Sequence, residues 1–232
     1  MYYSSGVNTD FLMYILMIVM AVVCMIASLR VKSVYKKFAK VKASCGLTGA
    51  QAALDILRRS GINDVIVQYV GGELTDHFDP RNRAVNLSES TYNSPSVAAI
   101  SVAAHECGHV MQHQEDYLPL KIRTAILPMA SFGSKAGVPI IVLGLFLSFS
   151  PLVTIGIWVF SLAVLFQLVT LPVEFDASRR ALAVLESSGL LSYEELGGGR
   201  KVLGAAAMTY VASTAAAVVQ LMRFVLLNRR RD

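Results

Sequence analysis

The sequence predicts an α+β integral membrane protein. Its parts are a small sheet with one histidine-bearing helix, an N-terminal transmembrane helix, a transmembrane hairpin and a C-terminal membrane-associated helix. Three observations carry this expectation. Mean hydropathy is +0.53 and 54% of the 232 residues are hydrophobic, too apolar for an ordinary soluble domain. Several uncharged runs are long enough to cross a hydrocarbon core. Between the first run and the rest lie short β-branched stretches, polar turns and the pattern His105-Glu106-Cys107-Gly108-His109.

Residues 1–10 hold no Lys or Arg and are expected outside the cytoplasm, and the uncharged run 11–29 reads as a transmembrane helix. No small-residue cleavage site follows it, so it is an uncleaved anchor. Arg30, Lys32, Lys36, Lys37, Lys40 and Lys42 come next. That asymmetry places residues 30–135 in the cytosol. The same cluster supplies much of the net charge of +5 and suits anionic headgroups, so the basic balance implies a bilayer partner and no nucleic acid. Cys24, Cys45 and Cys107 form no spaced pair, and in a reducing compartment they stay unpaired.

Residues 47–89 read as a helix followed by three strands. Thr48 and Gln51 form a capping box, Ala50, Ala53, Leu54 and Leu57 make the buried stripe, and Gly61 ends the helix. Residues 65–70, 73–78 and 84–87 are the strands, with 86–89 expected as an edge to which an extended peptide adds. Asn93 or Ser94 caps the next helix, with Pro95 at its first position.

That helix carries the chemistry. His105 and His109 lie four apart on one face, so their imidazoles converge on one zinc ion, and Glu106 is placed as a base beside it. Catalytic zinc commonly takes three protein ligands. His113 shares the face but stands about 12 Å along the helix from His105, too far to reach the same ion. Cys107 points off that face and reads as a packed thiol.

Residues 136–171 form the hairpin, turning at Ser148-Phe149-Ser150-Pro151, and return the chain to the cytosol. Pro172 starts the helix of 172–201, and Glu174 in its first turn completes the zinc site in the thermolysin-like manner. Asp176 is the rival ligand. Residues 202–227 form an apolar helix read as a fourth span, and 228–232 are a basic tail.

Asp76-His77-Phe78-Asp79-Pro80, the motif around His105, the hairpin and Glu174-Phe175-Asp176-Ala177-Ser178-Arg179-Arg180 together resemble the YugP-like family of membrane-bound neutral zinc metallopeptidases. The similarity runs over nearly the whole chain, and is more distant to the HtpX and CAAX-protease type. It implies a thermolysin-like zinc metallopeptidase core, one zinc ion on His105, His109 and Glu174, and Glu106 as catalytic base. It further implies a multi-pass cell-membrane endopeptidase with its site facing the cytosol, acting on protein or peptide substrates, membrane proteins included. The HtpX type commonly has Asp where this chain has Ser178, which leaves open the group that orients a ligand histidine. Tyr210, Arg179 and His77 are the candidate oxyanion donors, with Tyr210 preferred. The alternative is a catalytically silent membrane adaptor that keeps the fold.

Overall fold

In the computed structural model, which describes residues 4–229, the elements are α1 (Ser4–Phe38), α2 (Gly49–Arg59), β1 (Ile66–Val70), β2 (His77–Asp79), β3 (Ala84–Ser88), α3 (Glu89–Tyr92), α4 (Val97–Gln114), α5 (Leu118–Phe146), α6 (Ser150–Ser188) and α7 (Tyr193–Arg229). The molecule is mostly helical with one small three-stranded sheet. Among the described residues α1, α5, α6 and α7 are long and apolar enough to cross a membrane. Residues 1–3 of the expected N-terminal segment and 230–232 of the expected basic tail lie outside the described residues. The chain divides into two units, one of residues 29–120 with 172–208, the other of residues 1–28, 121–171 and 209–232.

In the first unit the sheet order is β1-β3-β2, with β3 parallel to β1 and antiparallel to β2. The expectation that 86–89 forms an edge is therefore wrong: β3 is central, and β1 and β2 are the edges. The reason lies in its two faces. Val85 and Leu87 enter the hydrophobic core with Ile56, Leu57 and Ile100, each contributing roughly 1.5–3 kcal/mol. On the other face Asn86 accepts from Gln68 Nε2 at 2.7 Å and donates to His77 Nε2 at 3.2 Å, across the register that aligns all three. Both flanks of the strand are thus used.

The capping box of α2 forms as expected, and the chain leaves the helix through Gly61 at φ +73°. Its buried face is shifted from the expected stripe: Leu54 is exposed, whereas Gly49, Ala52 and Ile56 are buried beside Ala50, Ala53 and Leu57. At α4 the N-cap is Ser96, whose hydroxyl accepts from the Ala99 amide, rather than Asn93 or Ser94. The delay follows from backbone pairing, since Ala43 donates to the Pro95 carbonyl and Val97 donates to the Val41 carbonyl. Residues 94–96 are held extended until those bonds are made.

In the second unit α5 and α6 form the hairpin, closed by a turn in which Ser148 has φ +51°. Glycines bring the two helices together. A β-carbon at Gly137 would stand 2.8 Å from Phe160 Cβ, and one at Gly156 would stand 2.6 Å from Ile141 Cγ1. Two expectations change here. The first helix of the hairpin begins well before residue 136: it is helical from Leu118, with Pro128 and Pro139 inside α5. Pro172 does not start a helix but lies within α6, which continues from the apolar run into the segment bearing Glu174. Apolar helices tolerate interior proline because neighbouring groups satisfy the freed carbonyl.

Candidate metal centre

Helix α4 has one turn between His105 and His109, so their rings lie edge to face with centroids 4.8 Å apart. On α6, Glu174 reaches them. Its Oε2 lies 3.3 Å from His105 Nε2 and 3.8 Å from His109 Nε2, and the three side chains are almost wholly shielded from water. All three offer a ligand atom within 4.8 Å of the others. Bonds of about 2.0–2.1 Å in a tetrahedron put ligand atoms about 3.3 Å apart, so the donor set and its spacing fit zinc. Two imidazoles and one carboxylate leave a fourth position for water or substrate.

Glu106 is buried beside this cluster, with only 7% of its surface accessible. Burial pushes its carboxyl above the ordinary value; His105 and His109 oppose that shift, and the negative charges of Asp76 and Glu174 reinforce it. A carboxylate that takes a proton readily is what a general base needs. Burial opposes protonation of His109, but Glu174 and Glu106 outweigh it and its pKa is raised.

The ring nitrogens facing away from the cluster are also occupied. Ser178 Oγ lies 3.2 Å from His105 Nδ1, so the position where the HtpX type carries Asp still supplies a hydrogen-bonding group. His109 Nδ1 lies 3.0 Å from Gln112 Oε1. The Gln112 amide nitrogen donates to the Val173 carbonyl at 2.8 Å and to Asp176 Oδ2 at 3.0 Å, which turns its oxygen towards His109. An acceptor there requires Nδ1 to carry the proton and leaves the Nε2 lone pair for a metal. Sequence reading missed Gln112. Its signal was the spacing of three residues from His109 on one helix.

The remaining candidates separate cleanly. Asp176, the rival ligand, instead accepts from Gln112, Arg179 and Arg180, and Arg180 also pairs with Glu115 at 2.8 Å. His113 packs its ring against Phe78. Cys107 is buried with its thiol directed at the Ala53 carbonyl, and burial pushes its pKa up. His77 donates from Nδ1 to the Thr75 carbonyl and accepts from Asn86, a structural use of both nitrogens. Tyr210 lies on α7 in the membrane-type unit, partly exposed.

The family described as "Putative neutral zinc metallopeptidase" matches residues 13–229. A protein of Bacillus subtilis (strain 168) named "Putative membrane protease YugP" is 47% identical over 201 residues, covering 87% of this chain and 89% of that protein. No solved structure matches the chain.

Proposed function

The chain belongs to that neutral zinc metallopeptidase family, and from this premise we propose that it is a membrane-embedded, zinc-dependent endopeptidase with a thermolysin-like core. The observation that carries the reading is the Glu174 carboxylate seated against both imidazoles, with Glu106 buried beside them. His105, His109 and Glu174 hold one zinc ion. When bound, zinc supplies the positive charge that polarises a peptide carbonyl and lowers the pKa of a coordinated water toward about 7.

The chain's own groups do the rest. Glu106 accepts a proton from the attacking water as the oxygen–carbon bond forms, then returns it to the leaving amine as the carbon–nitrogen bond breaks. Ser178 and Gln112 hold the two rings in orientation. Arg179 is engaged with Asp176, and His77 with Thr75 and Asn86, so neither is free to serve as the donor to the developing oxyanion.

The protein sits in the cell membrane as a multi-pass chain, its site facing the cytosol. The basic cluster from Arg30 to Lys42 after a residue 1–10 segment free of Lys and Arg supports that orientation. Its substrates are proteins or peptides, membrane proteins among them.

The test compares purified wild type with Glu106→Gln, measuring cleavage of an unfolded protein. Wild type cleaves, and the variant loses at least about a hundredfold in rate. Equal cleavage by the two overturns the mechanism, and no cleavage by either favours a silent adaptor.

A further inference from the structure

Within the unit of residues 29–120 and 172–208, α6 and α7 face each other across an open groove of about 680 Å³ that none of the metal-cluster residues lines. Such a volume is within the roughly 300–1,000 Å³ of small-molecule sites. The turn of residues 189–192 joins the two helices, and so short a connection makes them antiparallel. The groove is therefore graded along its length. Phe175 and Met208, 48% and 50% exposed, stand at the end farthest from the turn, nearest in the chain to the apolar runs of both helices. Leu182 and Leu203 continue the apolar walls. At Gly204 a β-carbon would meet no atom within 4 Å, so the α7 wall is cut back there. Arg179, Arg200 and Glu186 also line the groove, and Arg179 is held by Asp176. That leaves one cation and one anion towards the turn. Among the described residues no ion pair joins Arg200 to Glu186, and counted from the turn Arg200 lies about 7 Å farther along.

We infer that this groove holds one glycerophospholipid whose head carries a phosphate and a primary ammonium, of the phosphatidylethanolamine kind. Arg200 takes the phosphate and Glu186 the ammonium, while an acyl chain lies past Leu182 and Gly204 to Phe175 and Met208. Two observations select this ligand. Separated charges of opposite sign match a zwitterionic head group for group, each through a charge-assisted hydrogen bond, whereas a purely anionic head leaves Glu186 without a cation. Walls that turn apolar towards the long apolar runs suit a chain that stays with the bilayer, whereas a soluble phosphate ester leaves Phe175 and Met208 uncovered. The inference rests on the membrane placement proposed above and not on peptide cleavage.

The full chain is reconstituted in phosphatidylcholine nanodiscs doped with a photoactivatable probe, in turn phosphatidylethanolamine, phosphatidylglycerol or phosphatidylcholine, and the labelled peptides are mapped by mass spectrometry. Wild type takes the ethanolamine label on the groove stretches of α6 and α7 at least about fivefold over the other two probes, the yield of one hydrogen bond to a charged group. Gly204→Phe fills the groove without changing any charge and abolishes that label, which general attraction to basic residues would not do. Arg200→Gln and Glu186→Gln, at exposed positions, each lower the label about fivefold, and they read the site if Gly204→Phe does not fold. Equal groove labelling by the three probes, or stronger labelling by phosphatidylglycerol, overturns the site. A label unchanged in all three variants does the same. Loss of the label on adding inorganic phosphate assigns the groove to a soluble anion and overturns the lipid. A chain that enters no nanodisc overturns the membrane placement itself, and the lipid site with it.

Discussion

Gly108 of α4 and Ala177 of α6 meet backbone to backbone: a β-carbon at Gly108 would stand 2.5 Å from the Ala177 carbonyl oxygen. This contact lies one residue from His109 and three from Glu174. It sets the distance at which the carboxylate meets the imidazoles. Gly108→Ala must push the helices apart or shift both. Overpacking of this kind costs about 1–3 kcal/mol. The expected outcome is a lower melting temperature together with reduced zinc content, measured by thermal denaturation and elemental analysis of the same sample.

Gln112 couples the same two helices through a hydrogen-bond chain. Its amide joins His109 to Val173, the residue before Glu174, and to Asp176, two residues after it. Replacing it with Met keeps the volume and removes every polar contact. Zinc affinity is expected to fall about 10–100-fold, the range for loss of a group that orients a ligand. Competition with a chromophoric chelator reads this directly. Asp176→Asn keeps an acceptor for Gln112 and should bind zinc far better than Glu174→Gln.

Glu195 at the start of α7 fastens the 44–46 turn. Burial opposes its ionisation, but the Ser192 amide and the Ser44 hydroxyl and amide hold its carboxyl below the ordinary value of 4.5. A depressed carboxylate contributes stability that is present above that value and is lost as pH falls through the folded one. The group is only partly buried, so water screens it and the contribution is at most about 1 kcal/mol. Glu195→Gln should lower the melting temperature at pH 7 by a few degrees. The gap to wild type should close below pH 4.

Where a short-range rule decided the outcome, the sequence was sufficient. The capping box at Thr48 and the one-face spacing of His105 and His109 follow from local helix rules, and both appear in the structure, where Glu174 rather than Asp176 approaches the two imidazoles. Long-range partners decided the rest. Nothing local in Ala84–Ser88 announces that both of its flanks are paired, since the pairing depends on Gln68 and His77. The late start of α4 depends on Val41 and Ala43, far back in the chain. Pro172 looks like a helix start to any local reading, and only the packing around α6 carries the helix through it.

The most direct test of the account is the zinc X-ray absorption spectrum of the purified full-length protein, beside that of Glu174→Gln. Wild type is predicted to show two imidazole nitrogens and a carboxylate oxygen at about 2.0–2.2 Å, and the variant to lose zinc or the carboxylate. A sulfur shell at about 2.3 Å, or identical zinc content and spectra from the two proteins, would contradict the proposal that α4 and α6 close around one metal ion.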